Sequence, residues 1–169
     1  MDSCKICGGT LDQFDSQSPV DLLYRAKCRR CGEYLITDLA LCAEPEPFVK
    51  ERLHLISAVS RWRSQKGNCL QIKEGLLDER SEFEAKILSI CPRNTQEKLD
   101  GILTYIAEKS SYPGQKIHIN GEYDYPLFYC KGTEELGFYI KHLEEIALVG
   151  HPEIDAGHFV MLQSELDIS

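Results

Sequence analysis

The chain has 169 residues, 43% of them hydrophobic, which suffices for one domain or for a small module joined to a larger one. Because it has neither a signal-peptide pattern nor an apolar run of about eighteen residues, the sequence predicts neither export nor a membrane span. The formal charge of −8 is uneven: residues 1–66 hold ten Lys/Arg against nine Asp/Glu, whereas residues 67–169 hold nine against eighteen. The second part should therefore repel polyanions, and only local patches in the first part could attract them.

Four cysteines near the start form the strongest motif. Cys4 and Cys7 lie in CKICGG, and Cys28 and Cys31 lie in CRRCGEY, so two CxxC pairs, each followed by glycine, are separated by twenty residues. Zinc binds four sulfur or nitrogen ligands in a tetrahedron, and one CxxC turn supplies two of them. The motif predicts a structural Zn²⁺ held by all four cysteines.

Two other roles for these thiols match the pattern less well. A catalytic zinc ion keeps one coordination position open, whereas four cysteines close the shell. A thioredoxin-like redox site needs a single CxxC at the junction of a strand and a helix. The remaining cysteines are far apart, and we interpret them as reduced, largely buried thiols of a cytoplasmic protein. They are Cys42, Cys69, Cys91 and Cys130.

Residues 1–43 are predicted to form a zinc ribbon. TLDQF and VDLLYRAKC have the pattern of strands, DSQSP that of a turn, and EYLITDLA that of a strand or the start of a helix. Tyr24 and Tyr34 flank the second CxxC pair, and we expect both to pack over the metal site. A ribbon of this size has too little core to fold alone, so the metal would supply much of its stability.

Residues 44–93 are predicted to be a helical connector that begins with the acidic joint EPEP. PFVKERLHLISAVSRWRSQKG has apolar residues at helical spacing and basic residues largely at the other positions, which predicts one basic amphipathic helix ending at Gly67. NCLQIKEG has the pattern of a short strand or linker. LDERSEFEAKILSIC predicts a second helix with Phe83, Ile87 and Ile90 on its apolar side.

Residues 94–169 are predicted to form a winged-helix-like domain. Asn94 and Glu97 have the spacing of a capping box before a helix, QKIHING alternates as a strand, and YDYPLFYC is an aromatic-rich extended run. Thr133 is expected to cap the acidic helix TEELGFYIKHLEEIALV. The loop HPEIDAG then separates the apolar runs IALV and HFVML, which would pair as a two-stranded wing.

The predicted fold class is therefore α+β, with a four-cysteine zinc ribbon followed by a mainly helical region and a winged-helix-like C-terminal domain. Winged-helix domains have the element order helix, strand, intervening segment, helix and hairpin, which is the order predicted for this C-terminal domain. The sequence contains neither an internal repeat nor a low-complexity tract.

Six basic residues form the candidate polyanion-binding surface. They are Arg25, Lys27, Arg29, Arg30, Arg61 and Arg63. The helix that would enter the DNA major groove in a winged-helix domain carries four Glu, one Lys and one His between Thr133 and Glu145, and phosphates would repel it. This favours a protein-docking role for the second part.

Catalytic motifs are not evident in the sequence. The five histidines form neither HxxxH nor HExxH, and there is no GxSxG, P-loop or dinucleotide-binding fingerprint. His151 and His158 flank the predicted wing tip and could share a metal, but solvated loop histidines are the favoured interpretation. The paired glutamates of the acidic helix are interpreted as a solvated face. The sequence therefore predicts that the protein is not an enzyme.

A zinc ribbon, a basic helix and a winged-helix-like segment containing the run DYPL together resemble the amino-terminal region of bacterial effector proteins in anti-phage defence. In that family, this accessory half precedes a nucleotide-degrading domain. The resemblance covers most of the chain, and it implies an accessory role in defence for a stand-alone protein or for part of a longer one.

The sequence thus predicts a non-enzymatic, zinc-stabilised interaction or sensor protein of the bacterial cytosol. Its acidic half would bind a protein partner or a second copy of the chain. The alternative is a nucleic-acid-binding regulator that uses the basic ribbon and the helix that follows it.

Overall fold

The computed structural model describes residues 3–18, 20, 22–112, 115–146 and 149, and the backbone of 153–155 and 158–162. The chain divides into two compact units, Met1–Cys91 and Pro92–Ser169. The first unit contains the predicted ribbon (1–43) and nearly all of the predicted connector (44–93), and the second contains the predicted third segment (94–169). Within the described ranges, no helix has both the length and the apolar character needed to cross a bilayer.

The first unit combines a four-stranded sheet with short helices. Its strands are β1 (Leu11–Ser18), β2 (Leu23–Cys28), β3 (Gly32–Thr37) and β4 (Leu70–Ile72). Its helices are α1 (Asp38–Cys42), α2 (Pro47–Lys50), α3 (Leu53–Gln65), α4 (Glu74–Asp78), α5 (Arg80–Lys86) and a 3-10 turn at Leu88–Ile90. The sheet order is β1-β2-β3-β4. The first three strands are antiparallel, and β4 runs parallel to β3.

The core of this unit lies on one face of the sheet. Ala26 of β2 is paired with Tyr34 of β3, and these two side chains and Ile36 are at most 1% exposed. Side chains alternate between the two faces of a strand, so Arg25 and Lys27 lie on the opposite, exposed face. Helix α3 packs along β3 with buried residues from Ile56 to Ser60. These contacts place α3 beside the cysteine motif.

Strand β1 is longer than predicted. The segment DSQSP was expected to turn, but Asp15 pairs with Arg25 and Ser16 pairs with Tyr24. Turn-favouring polar side chains are acceptable here because β1 is an edge strand and Asp15 and Ser16 are exposed. Backbone pairing with β2 therefore outweighs the local preference.

The predicted single basic helix is interrupted at Glu51 and Arg52, between α2 and α3. The Arg52 guanidinium lies 4.1 Å from the centroid of the Phe48 ring and donates a 3.0 Å hydrogen bond to the Phe48 carbonyl. The Arg52 backbone N–H bonds to the carbonyl of Val49, three residues back, which is 3-10 geometry. The chain therefore bends before α3 begins.

The second unit contains two longer helices, two short helical segments and a small sheet. Its helices are α6 (Thr95–Lys109), α7 (Gly121–Asp124), a 3-10 turn at Tyr125–Phe128, and α8 (Thr133–Glu145). Its strands are β5 (Lys116–Asn120), β6 (Glu153–Asp155) and β7 (His158–Leu162). The sheet is antiparallel with the order β5-β7-β6.

The predicted cap of α6 is confirmed, whereas that of α8 is wrong. The Asn94 side chain accepts a 2.9 Å hydrogen bond from the Glu97 backbone N–H. Helix α8 has Gly132 as its N-cap, and Thr133 is its first residue. The Thr133 hydroxyl instead donates a 2.8 Å hydrogen bond to the carbonyl of Gly121, so it ties α8 to α7.

Two further predictions for this unit need correction. YDYPLFYC is a short helix and a 3-10 turn rather than an extended run, because Pro126 fits the first turn and the turn buries Leu127 and Phe128. Strand β6 lies within the segment predicted to be the loop HPEIDAG. The strand predicted at HFVML is confirmed, but its two edges pair with β5 and β6 rather than with the predicted partner IALV, of which residues 147 and 148 lie outside the described part.

The apolar stripes are largely confirmed. Phe83 and Ile87 of the first unit are fully buried, and so are Leu136 and Leu143 of α8. Ile90 was expected to be buried and is 51% exposed, because it follows the end of α5 in a 3-10 turn that changes the helical phase.

A polar network joins α6 to α8 inside the second unit. Lys98 Nζ lies 2.7 Å from Glu135 Oε1, and the Tyr139 hydroxyl donates to the same oxygen at 3.0 Å. The Lys131 backbone N–H donates to the other carboxylate oxygen. Burial by itself raises the pKa of Glu135, but the hydrogen bond from Lys131 and the ion pair with Lys98 outweigh it and lower the pKa.

We expect Glu135→Gln to destabilise the second unit by about 1–3 kcal/mol at pH 7, because it leaves the partly buried Lys98 without its carboxylate. Glu134→Gln, at the exposed neighbouring position, should change stability by less than about 0.5 kcal/mol. A lowered folded-state pKa stabilises the fold above the unfolded pKa, so the difference from wild type should shrink below about pH 4. Hydrogen exchange of α6 amides measures this opening free energy, and an unchanged difference at low pH would contradict the assignment.

Candidate metal centre

The four sulfurs of Cys4, Cys7, Cys28 and Cys31 meet at one point in the first unit. All lie within 4.8 Å of one another, and the thiols are free. The Cys4 and Cys31 sulfurs are 3.7 Å apart, and those of Cys7 and Cys28 are 3.5 Å apart. Four sulfurs bound at about 2.3 Å from one ion would be ~3.8 Å apart, so the cluster has the dimensions of a tetrahedral metal site.

The first pair is held by the loop that precedes β1. The Cys4 backbone N–H donates to the Gly9 carbonyl, and the Gly8 N–H donates to the Cys4 carbonyl at 2.8 Å. Gly8 has a φ of +69°, in the left-handed region that glycine adopts most readily. The turn thereby closes on itself and brings Cys4 and Cys7 together.

The second pair lies where β2 turns into β3. Cys28 is the last residue of β2 and pairs with Gly32, the first residue of β3, so Cys31 lies in a tight turn between them. Gly32 has a φ of +70°, and a Cβ built on it would lie 2.7 Å from the Cβ of Ser64 in α3. This close approach lets α3 pack against the turn.

Two side chains outside the CxxC pairs contact the cluster. The Tyr34 hydroxyl lies 3.2 Å from the Cys4 sulfur, and the Ser57 hydroxyl of α3 lies 3.2 Å from the Cys31 sulfur. The expectation that Tyr34 packs over the site is therefore confirmed. Ser57 was not predicted, and the only signal for it was its place on the buried side of a helix.

The same expectation was wrong for Tyr24. Its ring stacks on Phe14 with centroids 5.2 Å apart, and its hydroxyl donates to Asp38 at 3.4 Å. Tyr24 pairs with Ile36 across β2 and β3, at the end of the strands away from the CxxC turn. Proximity in sequence to Cys28 was a poor guide because the strand carries Tyr24 away from the site.

The clustered thiols perturb each other's ionisation. The hydrogen bond from Cys31 holds the pKa of Cys28 far below its usual range, and the same contact raises the pKa of Cys31. For Cys4 the contact with Cys28 raises the pKa, but those with Cys31 and Cys7 outweigh it and lower the pKa to about 7. A bound cation would favour all four thiolates together. The donor set, the spacing and the burial thus fit a tetrahedral, thiolate-binding metal ion.

Several of the six basic residues of the candidate polyanion-binding surface contact acidic or carbonyl groups of the protein. Arg25 makes a 2.9 Å ion pair with Glu33, and Arg29 lies 3.4 Å from Asp12. The Arg61 guanidinium donates to the carbonyl of Arg29, which joins α3 to the second CxxC turn. Of the other three, Lys27 lies on β2, Arg30 on the turn after it, and Arg63 on α3.

The remaining cysteines and histidines add no second cluster among the described residues. Cys91 and Cys130 are buried as predicted, and burial raises the pKa of Cys130 to about 12. Cys42 is exposed, because it lies at the end of α1, so the prediction of burial was wrong for it. His151 and His158, which were interpreted as solvated loop histidines, have side chains outside the described part.

We expect Gly32→Ala to destabilise the protein more than Gly67→Ala does. Gly67 also has a positive φ (+75°) but has no atom within 4 Å of a built Cβ, so its substitution should cost only the left-handed strain of about 1–2 kcal/mol. Gly32→Ala adds the clash with Ser64, worth a further ~1–3 kcal/mol. Urea unfolding measures both, and equal losses would contradict the tight contact between α3 and the turn.

Comparisons with protein-family models, with curated proteins and with solved structures found no match to this chain.

Proposed function

We propose that the chain is a zinc-stabilised, non-enzymatic interaction protein whose acidic second unit docks a protein partner through the outer face of α8. The observation that carries this proposal is Phe138, which lies at the centre of that face and is 66% exposed. Zinc holds the first unit together in this proposal and takes no part in a reaction.

The case for zinc rests on the donor set and its enclosure. Four thiolates suit a borderline-soft ion of tetrahedral preference, and four protein ligands leave no position open for a water or substrate. The ligand sulfurs lie within 4.8 Å of one another, and Cys4, Cys28 and Cys31 are buried. A closed shell of this kind supplies folding free energy rather than Lewis acidity.

The outer face of α8 has the features of a docking surface. We define it by its exposed residues, which recur at helical spacing: Glu134, Phe138, Lys141 and Glu145. The opposite side of the helix is buried in the unit's core. Exposed aromatic residues are enriched at protein interfaces, where they fill pockets on the partner. Lys141 lies 3.9 Å from Glu145, and Glu134 at the other end of the face leaves it with one more negative than positive charge, which favours a partner with a basic rim around an apolar pocket.

The second unit is proposed to be winged-helix-like. This is supported by its order of helix, strand, short helices, helix and hairpin, and by the sheet order β5-β7-β6. In DNA-binding members of such folds, the helix corresponding to α8 enters the major groove. Four glutamates on α8 and a net charge of −7 on Pro92–Ser169, from six Lys/Arg and thirteen Asp/Glu, oppose that use here.

A role as an accessory protein in bacterial defence is the biological setting that we propose. It rests on the resemblance to the amino-terminal region of anti-phage effector proteins, which combine the same kinds of segment.

The alternative is a nucleic-acid-binding regulator that uses the first unit. Exposed Lys27, Arg29 and Arg63 favour it, since each could contact a phosphate. The ion pairs of Arg25 with Glu33 and of Arg29 with Asp12 reduce the positive potential of this surface. A gel shift at low salt, comparing wild type with Arg29→Glu/Arg30→Glu, separates this alternative from protein docking.

We expect the purified chain to contain one equivalent of zinc, measured by elemental analysis. A chelator should lower the melting temperature of wild type, because removing the metal leaves four clustered thiols without their cation. Cys28→Ser should lower the zinc content and abolish the chelator effect, whereas Cys42→Ser, at an exposed thiol outside the cluster, should do neither. A chain without metal, or a melt insensitive to chelation, would contradict the zinc assignment.

For the docking face, we expect a photo-crosslinking residue at position 138 to capture a protein in cells that naturally carry this chain. The same residue in place of Glu108, which is exposed on α6, should not capture that protein. Glu134→Lys/Glu145→Lys should abolish capture from position 138, because it reverses the charges that flank Phe138. Mass spectrometry should find Lys or Arg around the cross-linked site of the partner.

Three outcomes would count against this docking face. Equal capture from positions 138 and 108 would indicate non-specific contact, and capture of a second copy of the chain would indicate self-association. Binding of nucleic acid that is lost in Arg29→Glu/Arg30→Glu, with no protein captured at 138, would favour the regulator instead.

A further inference from the structure

We infer that Tyr34 and Ser57 are positioning residues of the metal centre, and that they protect Cys4 and Cys31 while Cys7 remains the accessible sulfur. This inference rests on the proposed zinc occupancy and goes beyond it, because it assigns unequal reactivity to the four ligands.

Both hydroxyls are placed to donate to sulfur. Each oxygen lies 3.2 Å from its sulfur, Tyr34 from Cys4 and Ser57 from Cys31. Tyr34 is 1% exposed and Ser57 is 2% exposed, so bulk water does not compete for these hydroxyls. A metal-bound thiolate has no proton to donate, which makes the hydroxyl the donor in each contact.

The two contacts are distributed between the CxxC pairs. Cys4 belongs to the first pair and Cys31 to the second, so each pair has one sulfur that accepts a hydroxyl bond. Four thiolates around one Zn²⁺ leave a net charge of −2, and hydrogen bonds to sulfur spread that charge. The bonds should thereby lower the nucleophilicity of Cys4 and Cys31 and slow dissociation of the metal.

Cys7 has a different environment. It is half-buried, whereas Cys4 and Cys31 are at most 2% exposed. A Cβ built on Gly9 would lie 3.4 Å from the Cys7 sulfur and 3.7 Å from Arg30 Nη1, so a guanidinium borders this side of Cys7. Cys7 is nevertheless the one residue of the four that is not buried, which makes its sulfur the most accessible to a small reagent.

An electrophile distinguishes these sulfurs. With iodoacetamide, the thiolate sulfur forms a bond to the CH₂ carbon and iodide leaves, which converts a charged ligand into a neutral thioether that binds zinc weakly. The first sulfur to react is therefore the one through which the centre opens. The geometry predicts that this sulfur is Cys7.

The test uses the zinc-loaded full chain and a chromophoric chelator that reports zinc release. We expect Tyr34→Phe and Ser57→Ala each to speed release by about tenfold, the effect typical of outer-shell partners of metal ligands. The controls are Tyr24→Phe, whose hydroxyl contacts Asp38, and Ser60→Ala. Ser60 is fully buried on the same helix, and its hydroxyl has no hydrogen-bond partner within the described structure. Both controls should stay within about twofold of wild type.

Peptide mapping of partly alkylated protein gives the second readout. In wild type, Cys7 should be modified before Cys4 and Cys31, and Ser57→Ala should raise the rate at Cys31 but not at Cys4. Zinc-loaded protein in which Ser57→Ala and Ser60→Ala behave alike, or in which Cys31 reacts first, would overturn this inference and leave the zinc assignment intact. Wild-type protein without bound metal would overturn both.

Discussion

The first unit depends on one constraint, which is that four sulfurs from two distant turns must meet within 4.8 Å. Cys4 and Cys7 come from the loop before β1, whereas Cys28 and Cys31 come from the turn between β2 and β3. This requirement fixes the conformation of both turns. Because Gly32 has no side chain, α3 can approach the second turn closely enough for Ser57 to contact Cys31. Helix α3 packs on β3 and contacts the cluster through Ser57, so the apolar core of the unit and the cysteine cluster meet in the same region.

The features that could be predicted from sequence are those set by local chemistry. Each CxxC spacing places two sulfurs on one turn, and the Asn94–Glu97 spacing fixes the start of α6, because these contacts close within a few residues. The meeting of the two CxxC pairs is long-range, and it could be predicted because a tetrahedral ion needs four ligands. The apolar stripe of α8 follows for the same reason, since Leu136, Ile140 and Leu143 repeat with the period of the helix. Within each CxxC pair, at the cap of α6 and along the stripe of α8, the residues concerned are near in sequence.

The features that were missed depend on partners that are distant in sequence. DSQSP becomes strand because β2 lies beside it, and Tyr24 leaves the metal site because its strand runs away from the turn. Ser57 is one of several serines on α3, and only the packing of α3 against β3 decides that it, rather than Ser60, reaches a sulfur. Strand pairing and helix packing between residues that are distant in sequence cannot be inferred from composition or periodicity.

The charged residues of the two units have different surroundings. In the first unit, Arg25, Arg29 and Arg61 contact Glu33, Asp12 and a backbone carbonyl, so part of the positive charge beside the cysteine cluster is engaged within the fold. In the second unit, Glu135 is held by Lys98, and the exposed residues Glu134 and Glu145 of α8 flank Phe138. The Phe138 ring contacts Tyr139, with ring centroids 5.8 Å apart, but the side chain is 66% exposed, and a partner that covers it would bury that remaining area. The protein docking that we propose at α8 would use this exposed area.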